Sequence, residues 1–329
     1  MQYESCTTND KCILAFQTSL PLPKLATPNI GPSHDPAYDT CILLLHGFSG
    51  SSAYFTRNFA ALSARHWVVA PDLRGHGFSG RPAGGYHVAR LAADLRALVA
   101  HLRAAAAHKN RDGTASPVRI VPVGCSIGAA VLWTYVELFG CADFAGFVFV
   151  DQAPLQDRTE AFGGWDKRLC HTGCYDEATM LSAQRAWMRT AADGLVETHR
   201  GLVAECLGYR RGSGAAVSAE ESKADEEFFV AISAMCDGRW LARLLADHTR
   251  YDHREAIELI TVPTLVMAGM WSGCFPLEGI LETARRAEKG EGMQGKVDVS
   301  VFDSGHWLFY EEPERFNREV VEFVDHWTT

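Results

Sequence analysis

Between Val118 and Gly140 the chain changes character twice. Six residues dominated by Val and Ile, Val118-Arg-Ile-Val-Pro-Val123, run into Gly124-Cys-Ser-Ile-Gly128, and an apolar segment of about three turns follows. This order predicts a strand, a sharp turn and a helix. In a G-x-S-x-G turn the serine is held in a strained backbone conformation, tolerable only where small residues flank it and strand and helix nearly touch. Gly124 and Gly128 fill those places, and Ala129 and Ala130 let the start of the helix pack closely. Ser126 is the expected nucleophile. The N–H of Ile127, at the helix start, points where negative charge would gather. Cys125 precedes the apex and is read as packing.

A unit of this kind needs a sheet around it, and the chain is long enough to supply one. Its 329 residues, 47% hydrophobic and 22% charged, belong with soluble globular proteins that bury a large core, and the length suggests two units. The formal net charge of −9, with no basic block to offset it, argues against a nucleic-acid or anionic-membrane surface. The expected partner is a small molecule, uncharged or at least not polyanionic. Residues 1–10 have neither the basic start nor the apolar centre of a secretory signal, and no apolar run approaches the ~20 residues of a membrane span. Ten cysteines scattered singly read as reduced thiols in a cytosolic setting rather than a disulfide framework.

Residues 11–18 form a candidate first strand, and Pro21, Pro23, Pro28, Pro32 and Pro36 then predict an extended surface connection. Cys41-Ile-Leu-Leu-Leu45 is a continuous apolar run, the mark of a strand buried on both faces of a mostly parallel sheet. It ends in His46-Gly-Phe-Ser-Gly50, a glycine-rich turn that brings backbone N–H groups to the carboxyl edge of the sheet, where ligands bind in open α/β folds. Phe48 N–H is the natural second oxyanion donor beside Ile127 N–H. A strand at 66–70 precedes Pro71-Asp-Leu-Arg-Gly-His-Gly-Phe-Ser-Gly80, so the pentapeptide His-Gly-Phe-Ser-Gly occurs twice, without the flanking similarity of a repeat. Residues 88–107 have helical spacing, and the polar stretch 108–117 turns the chain into the serine strand. Residues 144–150 predict another buried strand, delivering Asp151-Gln-Ala-Pro154 to the same edge.

From about 155 to 255 the periodicity is helical and aromatic, with no convincing strand and a flexible interruption at 208–225. It reads as a helical cap inserted between strands. Cys170-His171-x-x-Cys174 and Cys206 raise the thought of a metal, but their spacing fits no structural zinc pattern. Strands return at 264–268 and 297–302; the second leads to Asp303-Ser-Gly-His306-Trp307, and an amphipathic helix from Pro313 to about Trp327 closes the chain.

The order of these parts resembles the α/β-hydrolase superfamily: a His-Gly turn, an Asp-x-Arg-Gly-His-Gly-x-Ser segment, the elbow, and a late Gly-His followed by Glu-Pro. The likeness covers residues 41–155 and 252–327. It implies an α/β fold with a mostly parallel eight-stranded sheet flanked by helices and a cap after the sixth strand. The core would be residues 1–154 and 256–329, and the cap 155–255. By that resemblance Ser126 is the nucleophile, His306 the base, and Phe48 with Ile127 the oxyanion donors. Of thirteen histidines, only His306 follows a last strand with Ser126 in the right chain order. Gly47, Trp271 and Trp307 are expected to touch the substrate.

The acid departs from the pattern. Most members read Gly-x-x-Asp after the seventh strand, whereas this chain reads Gly269-Met-Trp-Ser272, and a hydroxyl cannot stabilise an imidazolium as a carboxylate can. Some members, including certain haloalkane dehalogenases and zearalenone-type lactone hydrolases, take the acid from the end of the sixth strand. Asp151 stands there, and the Gly-Cys-Ser-x-Gly elbow also resembles that of the lactone hydrolases. Asp303 is too near His306 in the chain to reach its far nitrogen easily, and Asp252 is read as a cap or a partner of Arg254.

The resemblance implies hydrolysis of a carboxylic ester or lactone of a small to medium hydrophobic substrate, through an acyl-enzyme on Ser126 and with no metal or organic cofactor. An epoxide hydrolase or dehalogenase would need an aspartate at the elbow. Two alternatives stay open: a cofactor-free perhydrolase or haloperoxidase-like activity, and a small-molecule receptor that keeps the fold with little turnover.

Overall fold

The apolar runs of the sequence become the centre of one eight-stranded sheet. The computed structural model describes residues 2–22, 39–106, 108–109, 115–116, 118–159, 163, 165–173 and 176–328. The strands of this sheet are β1 (Gln2–Thr7), β2 (Ile13–Thr18), β3 (Thr40–Leu45), β4 (Trp67–Pro71), β5 (Arg119–Cys125), β6 (Phe147–Val150), β7 (Thr264–Gly269) and β8 (Val297–Phe302). They lie in the order β1-β2-β4-β3-β5-β6-β7-β8. The pairs β1–β2 and β2–β4 are antiparallel, and every other pair is parallel. Every residue of β3, β6 and β7 is buried, as continuous apolar runs require when helices cover both faces.

β1 is a strand that the sequence did not announce. Cys6 and Thr8 are buried, while Tyr3, Ser5 and Thr7 face solvent, so the segment lacks the hydropathy of an inner strand. It is a sheet edge, held by a hairpin turn in which Lys11 takes φ 66°. Most of the proline-rich connection and of the stretch 108–117 lies outside the described residues, as does Cys174.

Helix α1 (Val88–Ala106) packs on α2 (Ile127–Phe139), which starts at the serine turn. Among the described residues four longer helices stand between β6 and β7, α3 (Glu177–Trp187), α4 (Leu195–Cys206), α5 (Ala219–Ala234) and α6 (Gly238–Arg250), with the five-residue helix Arg254–Glu258 after them. Reciprocal capping boxes start α3, at Asp176 and Thr179, and α5, at Ser218 and Glu221, which satisfies N–H groups a helix start would otherwise leave bare. No strand occurs there among the described residues. Trp240 of α6 is wholly buried against Gly75, where φ is +81° and an added Cβ would stand 2.6 Å from the indole; its N–H donates to Pro82 O at 3.1 Å. The chain then returns to the sheet and ends in α7 (Leu277–Ala287) and α8 (Pro313–Thr328), on either side of β8 in sequence. Among the described residues no helix is long and apolar enough to cross a membrane.

Candidate active site

Parallel register fixes the site first. Cys125 of β5 pairs with Val150 of β6, and Val150 pairs with Met267 of β7, so the next residues, Ser126 and Asp151, emerge together at the carboxyl edge. Both leave their strands with positive φ, 53° at Ser126 and 49° at Asp151. Such conformations cost on the order of 1–3 kcal/mol each and persist only where the surroundings enforce them. Ser126 N–H is held by Val150 O and Asp151 N–H by Met267 O, each at 2.9 Å. At the elbow an added Cβ on Gly124 would meet Ala129 N at 2.7 Å, and one on Gly128 would meet Leu45 O at 2.7 Å, so neither position has room for a side chain. Cys125 is buried, and burial pushes its thiol well up, in keeping with a packing role.

The Asp-x-Arg-Gly-His-Gly-x-Ser segment does structural work around this edge. Asp72 accepts from the N–H groups of Ser52 and Phe78, and the buried Arg74 is gripped by Asp94 and Asp10 at 2.6–2.7 Å. Leu73 N–H donates to His46 Nε2 at 2.9 Å, which leaves the proton on Nδ1, 2.8 Å from Gly47 O. Burial lowers the His46 pKa to about 4, so it stays a neutral strut under the 46–50 turn. An added Cβ on Gly47 would stand 3.2 Å from Ser126 Cβ; the glycine lets the turn lie against the serine.

His306 arrives on the turn after β8. Its Nδ1 bonds to Asp151 Oδ1 at 2.5 Å, and both residues are buried. Asp151 is further held by two donors from the end of β7: Ser272 Oγ to Oδ1 and Gly269 N–H to Oδ2, both at 2.7 Å. The serine at the usual acid position has thus become a donor to the acid. Asp303 points elsewhere, accepting from the Trp271 indole N–H at 2.6 Å, and Asp252 pairs with Arg254 at 2.6 Å. The His306 turn is tied down by Glu311, whose carboxylate accepts from the N–H groups of Gly305, Gly208 and Tyr209 at 2.8–3.2 Å.

Ser126 and His306 face one cavity of about 110 Å³, which Gly47, Phe48 and Trp307 also line. Trp271, expected at the substrate, does not line it: its indole is turned to Asp303 and covers Gly212. Phe48 N–H and Ile127 N–H have no hydrogen-bond partner among the described residues, and both residues adjoin Ser126 in space or sequence. Ser126 Oγ donates to Gln152 Oε1 at 3.4 Å, and no bond joins it to His306 in this state. Gln152 is oriented by its own amide N–H on Ala153 O at 3.0 Å.

Three further residues at the cavity are ones the sequence did not single out as a group. Cys206, at the end of α4, and Cys274, after β7, bring their sulfurs to 3.8 Å, and His171 lies beside Cys274. No linear spacing joins these positions, since they come from three separate segments. Burial works against a charged His306, but the negative charge of Cys274 and then of Asp151 outweighs it and pushes the imidazole up to about 9. The S–H of Cys206 in turn holds the Cys274 thiol well below its usual range against burial, while burial pushes Cys206 up. His248 also lines the cavity, buried and with Nδ1 unpartnered among the described residues.

Residues 42–319 match the alpha/beta hydrolase family. An uncharacterised protein of Mycobacterium bovis is 34% identical over 98 residues, 30% of this chain; the matched region spans about a quarter (25%) of that relative's length. The AB hydrolase superfamily protein YisY of Bacillus subtilis is 23% identical over 295 residues, 86% of this chain and 90% of its own. Among solved structures, a bromoperoxidase from Bacillus anthracis superposes with a TM-score of 0.74 at 17% identity, over 98% of this chain and 100% of that one. An esterase from Exiguobacterium antarcticum gives 0.73 at 17% identity, over 98% of both chains. The enol-lactonase from Burkholderia xenovorans LB400 gives 0.69 at 17% identity, over 98% and 100%. At such identities the structural likeness speaks for the fold alone. With the family match over residues 42–319 and the eight-stranded sheet in this order, the chain belongs to the alpha/beta hydrolase family.

Proposed function

We propose that this protein is a serine hydrolase that cleaves a carboxylic ester or lactone of a small hydrophobic substrate. The observation that carries the reading is the buried Asp151–His306 pair, whose histidine opens onto the same cavity as Ser126 and Phe48, with the N–H groups of Phe48 and Ile127 unpartnered among the described residues. Ser126 Oγ leaves Gln152, gives its proton to His306 Nε2 and attacks the carbonyl carbon. Asp151 keeps the imidazole in the tautomer that accepts at Nε2 and stabilises the cation once it forms. The two N–H groups receive the oxyanion, each worth roughly 3–4 kcal/mol in comparable sites. His306 then protonates the leaving alkoxide, and a water repeats the sequence on the acyl-enzyme.

The walls set the substrate. Phe48, Trp187, Leu202, Leu245, Phe275 and Trp307 make the cavity apolar, and its volume of about 110 Å³ suits a compact acyl or ring system. The helices of residues 155–255 act as the cap: Trp187 meets Phe48 edge-on with centroids 5.3 Å apart, and Trp307 stacks on Phe229 of α5 at 3.8 Å. Apolar esters should therefore outrun charged or polymeric ones. The test is Ser126→Ala with p-nitrophenyl esters and a fluorophosphonate label. Hydrolysis and labelling should both vanish in a variant whose circular dichroism is unchanged; residual activity above a few per cent would remove Ser126 as nucleophile.

A further inference from the structure

The cavity holds two thiols that ester hydrolysis does not need, beside the histidine that it does. The sulfurs of Cys206 and Cys274 and a ring nitrogen of His306 all lie within 4.8 Å of one another, and all three residues are buried. Zinc binds thiolate at ~2.3 Å, so two sulfurs on a tetrahedral ion stand about 3.8 Å apart. The Cys206–Cys274 separation is 3.8 Å. The third group has the partner such a ligand usually has. Its Nδ1 is engaged by Asp151, which leaves Nε2, and a histidine that donates its far N–H to a carboxylate is the usual form of a metal-bound imidazole.

The backbone around these residues is fixed rather than loose. Trp307 N–H donates to Cys206 O at 3.2 Å, Gly273 N–H to Glu205 O at 2.9 Å, and Thr172 N–H to Cys274 O at 2.9 Å. An added Cβ on Gly305 would collide with Cys206 O and Gly208 N, so the His306 turn is pressed against the end of α4. All three side chains line the cavity, so an ion could enter from it and would keep a coordination position towards it.

We propose that Cys206, Cys274 and His306 form a binding site for a thiophilic divalent cation such as Zn2+, and that its occupation takes the triad histidine and excludes hydrolysis. Binding releases to solvent every proton carried by the two thiols, and the Nε2 proton of His306 where the imidazole is charged, because the ligands are thiolates and a neutral imidazole. The claim of exclusion rests on the hydrolase reading above; the claim of binding does not.

The test uses the whole chain in a phosphine reductant, stripped of metal, with Co2+ and Zn2+ alone as probes. One Co2+ per chain should give thiolate-to-cobalt charge transfer and the visible bands of a tetrahedral ion, and Zn2+ should displace it. Cys206→Ser and Cys274→Ser should each weaken binding by more than the roughly 10–100-fold that loss of an outer partner causes. Zn2+ should inhibit the parent, and inhibit each variant less, relative to that variant's own metal-free rate. Absence of the charge-transfer band, binding indifferent to both variants, or a Cys206–Cys274 disulfide in place of metal overturns the site. Saturating Zn2+ that leaves hydrolysis intact overturns His306 as a ligand. A chain inert to every ester that still shows the cobalt spectrum keeps the site and removes only the hydrolase reading.

Discussion

The carboxyl ends of β6 and β7 lie side by side, with Val150 paired to Met267, yet they approach His306 in opposite chemical roles. β6 ends in Asp151, wholly buried, whose Oδ1 takes Nδ1 of His306 at 2.5 Å. β7 ends in Gly269, and its N–H and the Ser272 hydroxyl both donate to that same carboxylate. The strand end without a carboxylate supplies the hydrogen bonds that orient its neighbour's. In the proposed mechanism Asp151 has the oxygen within reach of the imidazole and the end of β7 has the donors that fill its remaining lone pairs, so adjacent strands divide the two duties.

The most direct way to break the comparison is to remove the carboxylate. Asp151→Asn should lower kcat by up to about 10⁴-fold, the scale of the equivalent change in a serine protease triad. Adding Ser272→Asp to that variant should restore part of the rate, since position 272 already reaches within 2.7 Å of the lost oxygen. A drop smaller than tenfold for Asp151→Asn, measured on one ester with the fold checked by circular dichroism, would place the acid elsewhere.

The next effect is on pH. Only neutral His306 can accept the serine proton, so kcat/KM should climb with pH towards a midpoint near 9. The charges facing the ring are Asp151 from β6 and Cys274 from the turn after β7, with Cys206 and His171 beside that thiol. Cys274→Ser removes the larger of the two charges that raise the pKa, so the midpoint should fall towards the ordinary histidine value of 6.5. A profile that stays where it was would leave Asp151 as the sole cause. Ser272→Ala should be the mildest change, within about tenfold in kcat, because Gly269 N–H and His306 still hold Asp151; a net loss of about 1.5–3 kcal/mol in stability is the scale for a hydrogen bond to a charged group. A loss as deep as that of Asp151→Asn would make the hydroxyl, and not the carboxylate alone, decisive.

The fold was largely legible in the chain because its signals are local. A continuous apolar run such as Cys41–Leu45 leaves little choice but an inner parallel strand, and Gly124 and Gly128 flank Ser126 at the only spacing that lets strand and helix touch. β1 escaped notice because an edge strand need bury only one face, and a sequence with exposed Tyr3, Ser5 and Thr7 carries almost no hydropathic period. At the site, the chain order of Ser126 and His306 and the missing aspartate at 272 directed attention to Asp151, and the geometry brings it to His306. Trp271 was misplaced for the converse reason: it neighbours Ser272 in the chain, but the turn sends its indole to Asp303.

What the sequence determined by itself was the set of strands buried at the centre of the sheet, the turn that strains Ser126, and the absence of a carboxylate where Ser272 stands. These depend on residues within a few positions of one another, where sterics and burial act directly. Only the tertiary structure decided what surrounds His306. Cys206 ends α4, Cys274 follows β7 and His171 lies on the loop before α3, and no period or spacing in the chain relates them. Their meeting at one cavity follows from strand order and from the close approach of Gly208 to Gly305, contacts between segments far apart in sequence, which no local pattern encodes.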